Sequence, residues 1–112
     1  MDMKIDSSGD IRVARLSGDL ELGEEAVLAE KLQPLVSEAD SKLAIELTGM
    51  TNINSLGLSE LINVVIRARL SRSRVVLVSP SKFVRGVFEV TRLNRWFDIV
   101  DDLDAAFAAL KA

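Results

Sequence analysis

The run Met50-Thr51-Asn52-Ile53-Asn54-Ser55-Leu56-Gly57-Leu58 joins two segments whose apolar residues recur with different periods. Before it, Leu43-Ala44-Ile45-Glu46-Leu47 reads as a short, half-buried strand. After it, Leu58, Leu61, Ile62, Val65, Ile66 and Ala68 or Leu70 predict an amphipathic helix from about Leu58 to Leu70. Ser55 falls at the expected helix N-terminus, where unpaired backbone N–H groups and the positive end of the helix dipole favour an anion. A phosphate esterified to Ser55 is compatible with such a fold and adds about −1.5 to −2 charges to the surface. The residues alone leave a plainer role open, that of a helix N-cap worth about 1 kcal/mol.

Working toward the N-terminus, the apolar positions around Ser7-Ser8-Gly9-Asp10 predict a β-hairpin with a turn of about four residues. Its second strand runs from Ile11 to Leu16 and closes at Ser17-Gly18-Asp19. Ala26, Val27, Ala29, Leu32, Leu35 and Val36 approximate helical spacing over about Glu24 to Ser37. Glu24 and Glu25 suit the positive start of that helix as solvated carboxylates. Pro34 either kinks it or marks where its last turn loosens.

Toward the C-terminus, Val75-Val76-Leu77-Val78 is a continuous apolar run, the mark of a strand covered on both faces. Ser79-Pro80-Ser81 breaks it, and Ser81 is an expected N-cap for a helix from about Lys82 to Thr91. Trp96 and Phe97 read as core or rim residues. Phe97 to Val100 reads as a last short strand, and Asp101 to Leu110 as a final helix with Leu103, Ala106, Phe107 and Leu110 inward. The element order is ββαβαβαβα. Alternation of strands with helices implies parallel crossovers, so the predicted class is α/β, a mixed sheet of four or five strands packed with about four helices.

Bulk properties narrow the function. The 112 residues suit one domain spanning 1–112, and 48% hydrophobic content is enough for a core. No apolar run approaches the roughly 20 residues of a membrane span. Met1-Asp2-Met3-Lys4 lacks the features of a signal peptide, and Cys is absent, so a cytoplasmic location is expected. With no His and no Cys, the usual nucleophile–base pairs and metal-ligand clusters are missing; no catalytic residue, metal site or cofactor is predicted. A net charge of −3 speaks against a nucleic-acid partner. The basic run Arg67 to Arg74 fits a helix C-terminus complementing its dipole.

The passage Ile53-Asn54-Ser55-Leu56-Gly57-Leu58 resembles the Asp-Ser-Ser-Gly-Leu-Gly signature of the STAS domain, the domain of bacterial anti-sigma factor antagonists. Asn54 falls on the aspartate, Ser55 on the phosphorylated serine and Leu56 on the second serine. Gly57 and Leu58 fall on the Gly-Leu pair, and Ser59 on the last glycine. Leu16-Ser17-Gly18-Asp19-Leu20-Glu21 is similar to the family's Leu-Thr-Gly-Glu-Leu-Asp turn, and Ser79-Pro80 precedes a helix and an apolar strand as it does there. Three positions depart from the pattern: Asn54 supplies no carboxylate, Leu56 replaces a small polar residue, and Arg92 stands where a glycine often precedes the last strand.

The resemblance implies a STAS-like sandwich and a non-enzymatic partner switch. On that reading the chain is an anti-sigma factor antagonist that binds an anti-sigma factor with a histidine-kinase-like ATPase fold. Phosphorylation of Ser55 by that kinase releases it, and a serine phosphatase reverses the step. Glu21, Asn54, Ser55, Leu56, Gly57, Leu58 and Ser59 are the implied partner-binding positions. Leu56 is an anchor if it points outward and core if it points inward. Gly57 is expected to let the helix start approach a neighbour closely. The alternative is an accessory STAS subunit of a lipid-transport or stressosome-like complex, in which the serine is not switched.

Overall fold

A computed structural model describes residues 1–111. Strands β1 (Asp2–Ser8) and β2 (Ile11–Asp19) open the chain and are followed by helix α1 (Glu25–Leu32). Strand β3 (Lys42–Asn52) leads into α2 (Ser55–Leu70), and β4 (Arg74–Val78) into α3 (Lys82–Val90). A two-residue β5 (Ile99–Val100) and α4 (Leu103–Lys111) end it, so the order ββαβαβαβα holds. The strands lie in the order β1-β2-β3-β4-β5. β1 is antiparallel to β2, and every later pair is parallel. Parallel neighbours need crossovers, which α1, α2 and α3 supply.

Side-chain alternation along the strands builds two layers. Ala14 and Leu16, Leu43, Ile45 and Leu47, and Val75 and Leu77 face one side of the sheet. There they bury Leu28 and Leu32 of α1, Leu61 and Val64 of α2, and Val84 and Phe88 of α3. Ile11, Val13, Ala44, Val76 and Val78 face the other side, against Ala106 and Leu110 of α4. A period of two on each strand places successive residues in different layers. The expectation of a half-buried β3 is therefore corrected: it is a central strand with both faces covered.

Other expectations change in extent. The hairpin turn has two residues, Gly9 and Asp10, because Ser8 already pairs with Ile11 and Gly9 takes a left-handed φ of 63°. β3 runs on to Asn52 rather than stopping at Leu47, since its far end stays paired with β2, Gly18 opposite Met50 and Asp19 opposite Asn52. α1 ends at Leu32, and Gln33–Val36 tightens into a 3-10 turn with Pro34 in its first turn, where a missing N–H costs nothing. The inward positions of this segment are Leu28, Leu32 and Val36, whereas Ala26 is exposed. On α2, Val64 is buried, while Ile66 and Leu70 face outward. α3 stops at Val90, α4 begins at Leu103, and Phe97 is core ahead of β5, edge-on to Phe88 at 5.1 Å.

Candidate functional site

The C-terminal ends of β2 and β3 lie side by side and carry the two loops that the sequence singles out. Leu20 donates its N–H to the Asn52 carbonyl at 3.3 Å, and Thr51 donates its hydroxyl to the Asp19 carboxylate. Buried Ile53 anchors the second loop. Asn54 is still extended (φ −90°, ψ 174°), and its Oδ1 accepts from the Gly57 N–H at 2.7 Å. That is an N-cap, and the first helical bond, Leu58 N–H to the Asn54 carbonyl at 2.9 Å, follows from it. Helix α2 thus starts three residues earlier than its apolar stripe suggested, and Asn54 holds the capping position considered for Ser55.

Ser55 is the first residue inside α2 and is exposed. The cap satisfies the Gly57 N–H, so the orphan donors of the first turn are those of Ser55 and Leu56, pointing out of the helix end. Leu56 points outward, at 57% exposure, so it is not a core residue. Ser59, one turn on, is exposed too, and its hydroxyl donates to the Ser55 carbonyl at 3.0 Å. Gly57 is buried, and a Cβ there would lie 1.9 Å from Leu20 Cδ2. The close approach expected of this glycine is made to the neighbouring loop. Leu58 is half-buried and packs on the core.

The seven sequence-derived positions therefore divide. Ser55, Leu56 and Ser59 form an exposed face at the start of α2. Glu21 is exposed on the adjoining β2–α1 loop, brought alongside by its neighbour Leu20. Asn54, Gly57 and Leu58 turn inward and hold that face in shape.

Two acidic residues taken for solvated ones have partners. Glu25 is 7% exposed and accepts from the Asn54 side-chain amide at 3.4 Å, so a carboxylate does sit behind this loop, contributed by α1. The signal lay in the spacing Glu25, Leu28, Leu32, which is one helical face. Glu24 accepts from the Glu21 N–H at 2.8 Å and from the Met1 amino group at 3.1 Å. The Glu21 N–H foremost, then the Met1 ammonium, holds the Glu24 carboxyl below its usual range. Among the described residues no group of three His, Cys, Asp or Glu side chains is placed to hold a metal ion.

A family model described as Mlab, STAS domain, matches residues 3–105. The chain belongs to the STAS domain family. Solved structures share its fold at low identity. An anti-sigma-factor antagonist (STAS) domain protein from Planctomyces limnophilus superposes with a TM-score of 0.84 at 17% identity, over 100% of both chains. An anti-sigma factor antagonist from Mycobacterium paratuberculosis gives 0.81 at 20%, over 99% of this chain and 94% of the other. SpoIIAA in its unphosphorylated form gives 0.78 at 16%, over 99% and 98%. The phosphorylated form of SpoIIAA from Bacillus gives 0.72 at 16%, over 96% and 99%. The STAS assignment accounts for the mixed five-stranded sheet with three helices on one face and one on the other. Within the described residues no helix is long and apolar enough to cross a membrane.

Proposed function

We propose that this STAS domain is a non-enzymatic, cytoplasmic partner-switching protein, an anti-sigma factor antagonist whose charge state is set at Ser55. The observation that carries this reading is an exposed serine at the first position of α2 whose helix is capped by another residue, Asn54. Ser55 is not needed to start the helix, stands at its positive end, and adjoins an outward Leu56. In the neutral form Ser55, Leu56 and Ser59, with Glu21 beside them, dock on an anti-sigma factor with a histidine-kinase-like ATPase fold. A phosphate on Ser55 puts about −1.5 to −2 charges into that contact, where desolvation and partner carboxylates oppose it. A serine phosphatase restores binding. The two forms of SpoIIAA, unphosphorylated and phosphorylated, support such a cycle by analogy of fold.

Incubation with the cognate kinase and ATP should add one phosphate by intact mass, and Ser55→Ala should abolish it. Ser55→Asp should weaken kinase binding on the order of a hundredfold by calorimetry while circular dichroism is unchanged. A kinase that binds the domain but leaves Ser55 unmodified points to the second reading, an accessory subunit of a lipid-transport or stressosome-like complex. Asn54 is what favours that reading, since the residue before the serine carries no charge.

A further inference from the structure

Charge is unevenly spread along this chain. Residues 67–95 hold eight basic residues and a single acid, Glu89, a balance of +7 in a chain of net −3. The fold gathers much of that excess at the end of α2 remote from Ser55, which 16 helical residues place about 24 Å away. Arg69 lies 4.3 Å from the centre of the Trp96 ring and donates to the Trp96 carbonyl at 2.8 Å. This ties the last turn of α2 to the 3-10 turn Leu93–Arg95 that follows α3. Arg67, Arg69, Arg92 and Arg95 are exposed; Leu70, next to Arg69 in the chain, is 77% exposed, and Val90, two residues before Arg92, is 86% exposed.

The helix dipole accounts for Arg67 and Arg69, which lie in the last turn of α2. It does not account for Arg92 and Arg95, which lie beyond α3, nor for two apolar side chains left in water. Arg92 takes a left-handed φ of 63°, a conformation that glycine adopts without the Cβ clash. Leu70 and Val90 sit at the C-terminal ends of their helices as exposed knobs. Guanidinium groups flanking protruding aliphatic side chains at two helix ends match the headgroup boundary of a bilayer, where phosphates accept from the arginines and acyl chains receive the knobs. A nucleic-acid backbone would satisfy the charges and leave Leu70 and Val90 unburied.

We propose that this basic end of the molecule docks on an anionic lipid bilayer, independently of the Ser55 face. The test is co-sedimentation of the full chain with vesicles of phosphatidylcholine alone and of phosphatidylcholine containing one quarter phosphatidylglycerol. Binding is expected only to the anionic vesicles, weakening on the order of tenfold from low to physiological salt. Arg92→Gly removes a charge while relieving the left-handed backbone, and should lower binding about fivefold. Leu70→Ser and Val90→Ser should each lower it several-fold with circular dichroism unchanged, and Ser55→Ala should not change it. The proposal is overturned by absence of binding to anionic vesicles, or by equal binding to neutral ones. It is also overturned by binding that survives both serine variants and is competed by duplex DNA, which would assign this face to nucleic acid.

Discussion

Truncating Asn54 to alanine removes the acceptor of the Gly57 N–H and the donor to Glu25 in one step. Loss of an N-cap costs about 1 kcal/mol, and leaving Glu25 buried without this amide raises that figure toward 2. Ser55→Ala, one residue on, removes no cap and should change the denaturant midpoint by less than about 0.5 kcal/mol equivalent. If the two variants proved equally destabilised in urea melts, the division of labour between cap and exposed hydroxyl would be wrong. Gly57→Ala is expected to lose about 1–2 kcal/mol despite the better helix propensity of alanine. Its Cβ falls 1.9 Å from Leu20 Cδ2 and 3.2 Å from Ile53 Cγ1, so buried Leu20 must leave its place. The role of Asn54 was half legible, since a residue of this type before a helix is a usual cap. Its bond to Glu25 was not, because the two lie 29 residues apart and meet only through the packing of α1 on α2.

Elements differ in what holds them. Gly86 lies within α3, yet a Cβ there would meet nothing within 4 Å. Gly86→Ala should therefore stabilise the protein by about 0.5–1 kcal/mol through backbone entropy, the opposite sign to Gly57→Ala. A lower thermal midpoint for Gly86→Ala would mean that α3 is not a plain helix at this position. The same scale explains where the periodic patterns misled. In α2 the expected stripe held Leu61, Val65 and Ala68, which are buried, but also Ile66 and Leu70, which face outward, and it missed Val64. Its true centre is Leu61, Val64, Val65 and Ala68, because the helix lies between sheet and α1 and buries the residues facing both. In β3 the polar tail Thr48 to Asn52 carried no apolar alternation, and its strand character comes from backbone pairing with β2.

For the molecule as a whole, acid stability carries a testable contribution from Glu24. Its carboxyl sits below the ordinary value of 4.5, chiefly through the Glu21 N–H and next through the Met1 ammonium. A depressed carboxyl stabilises the native state above pH 4.5, and that contribution is lost as pH falls through the lower native value. Glu24→Gln should therefore lower the melting midpoint at neutral pH and flatten its decline below pH 4.5. Parallel declines for wild type and variant would exclude Glu24 from the acid transition.

The order of strands and helices was determined by the sequence alone, because periods of two and 3.6 are local properties that neighbouring residues display. The same holds for the position of Ser55 at a strand-to-helix junction, and for the lack of His and Cys that removes the usual catalytic pairs. Only the tertiary structure decided which side of that junction meets water. Leu20 covers Gly57, Glu25 closes behind Asn54, and what remains outside is Ser55 with Leu56 and Ser59. Those choices depend on two loops from separate crossovers arriving at one end of the sheet, beyond the neighbouring strands β2 and β3. Such a meeting is set by long-range strand pairing and burial, which no short window of residues encodes.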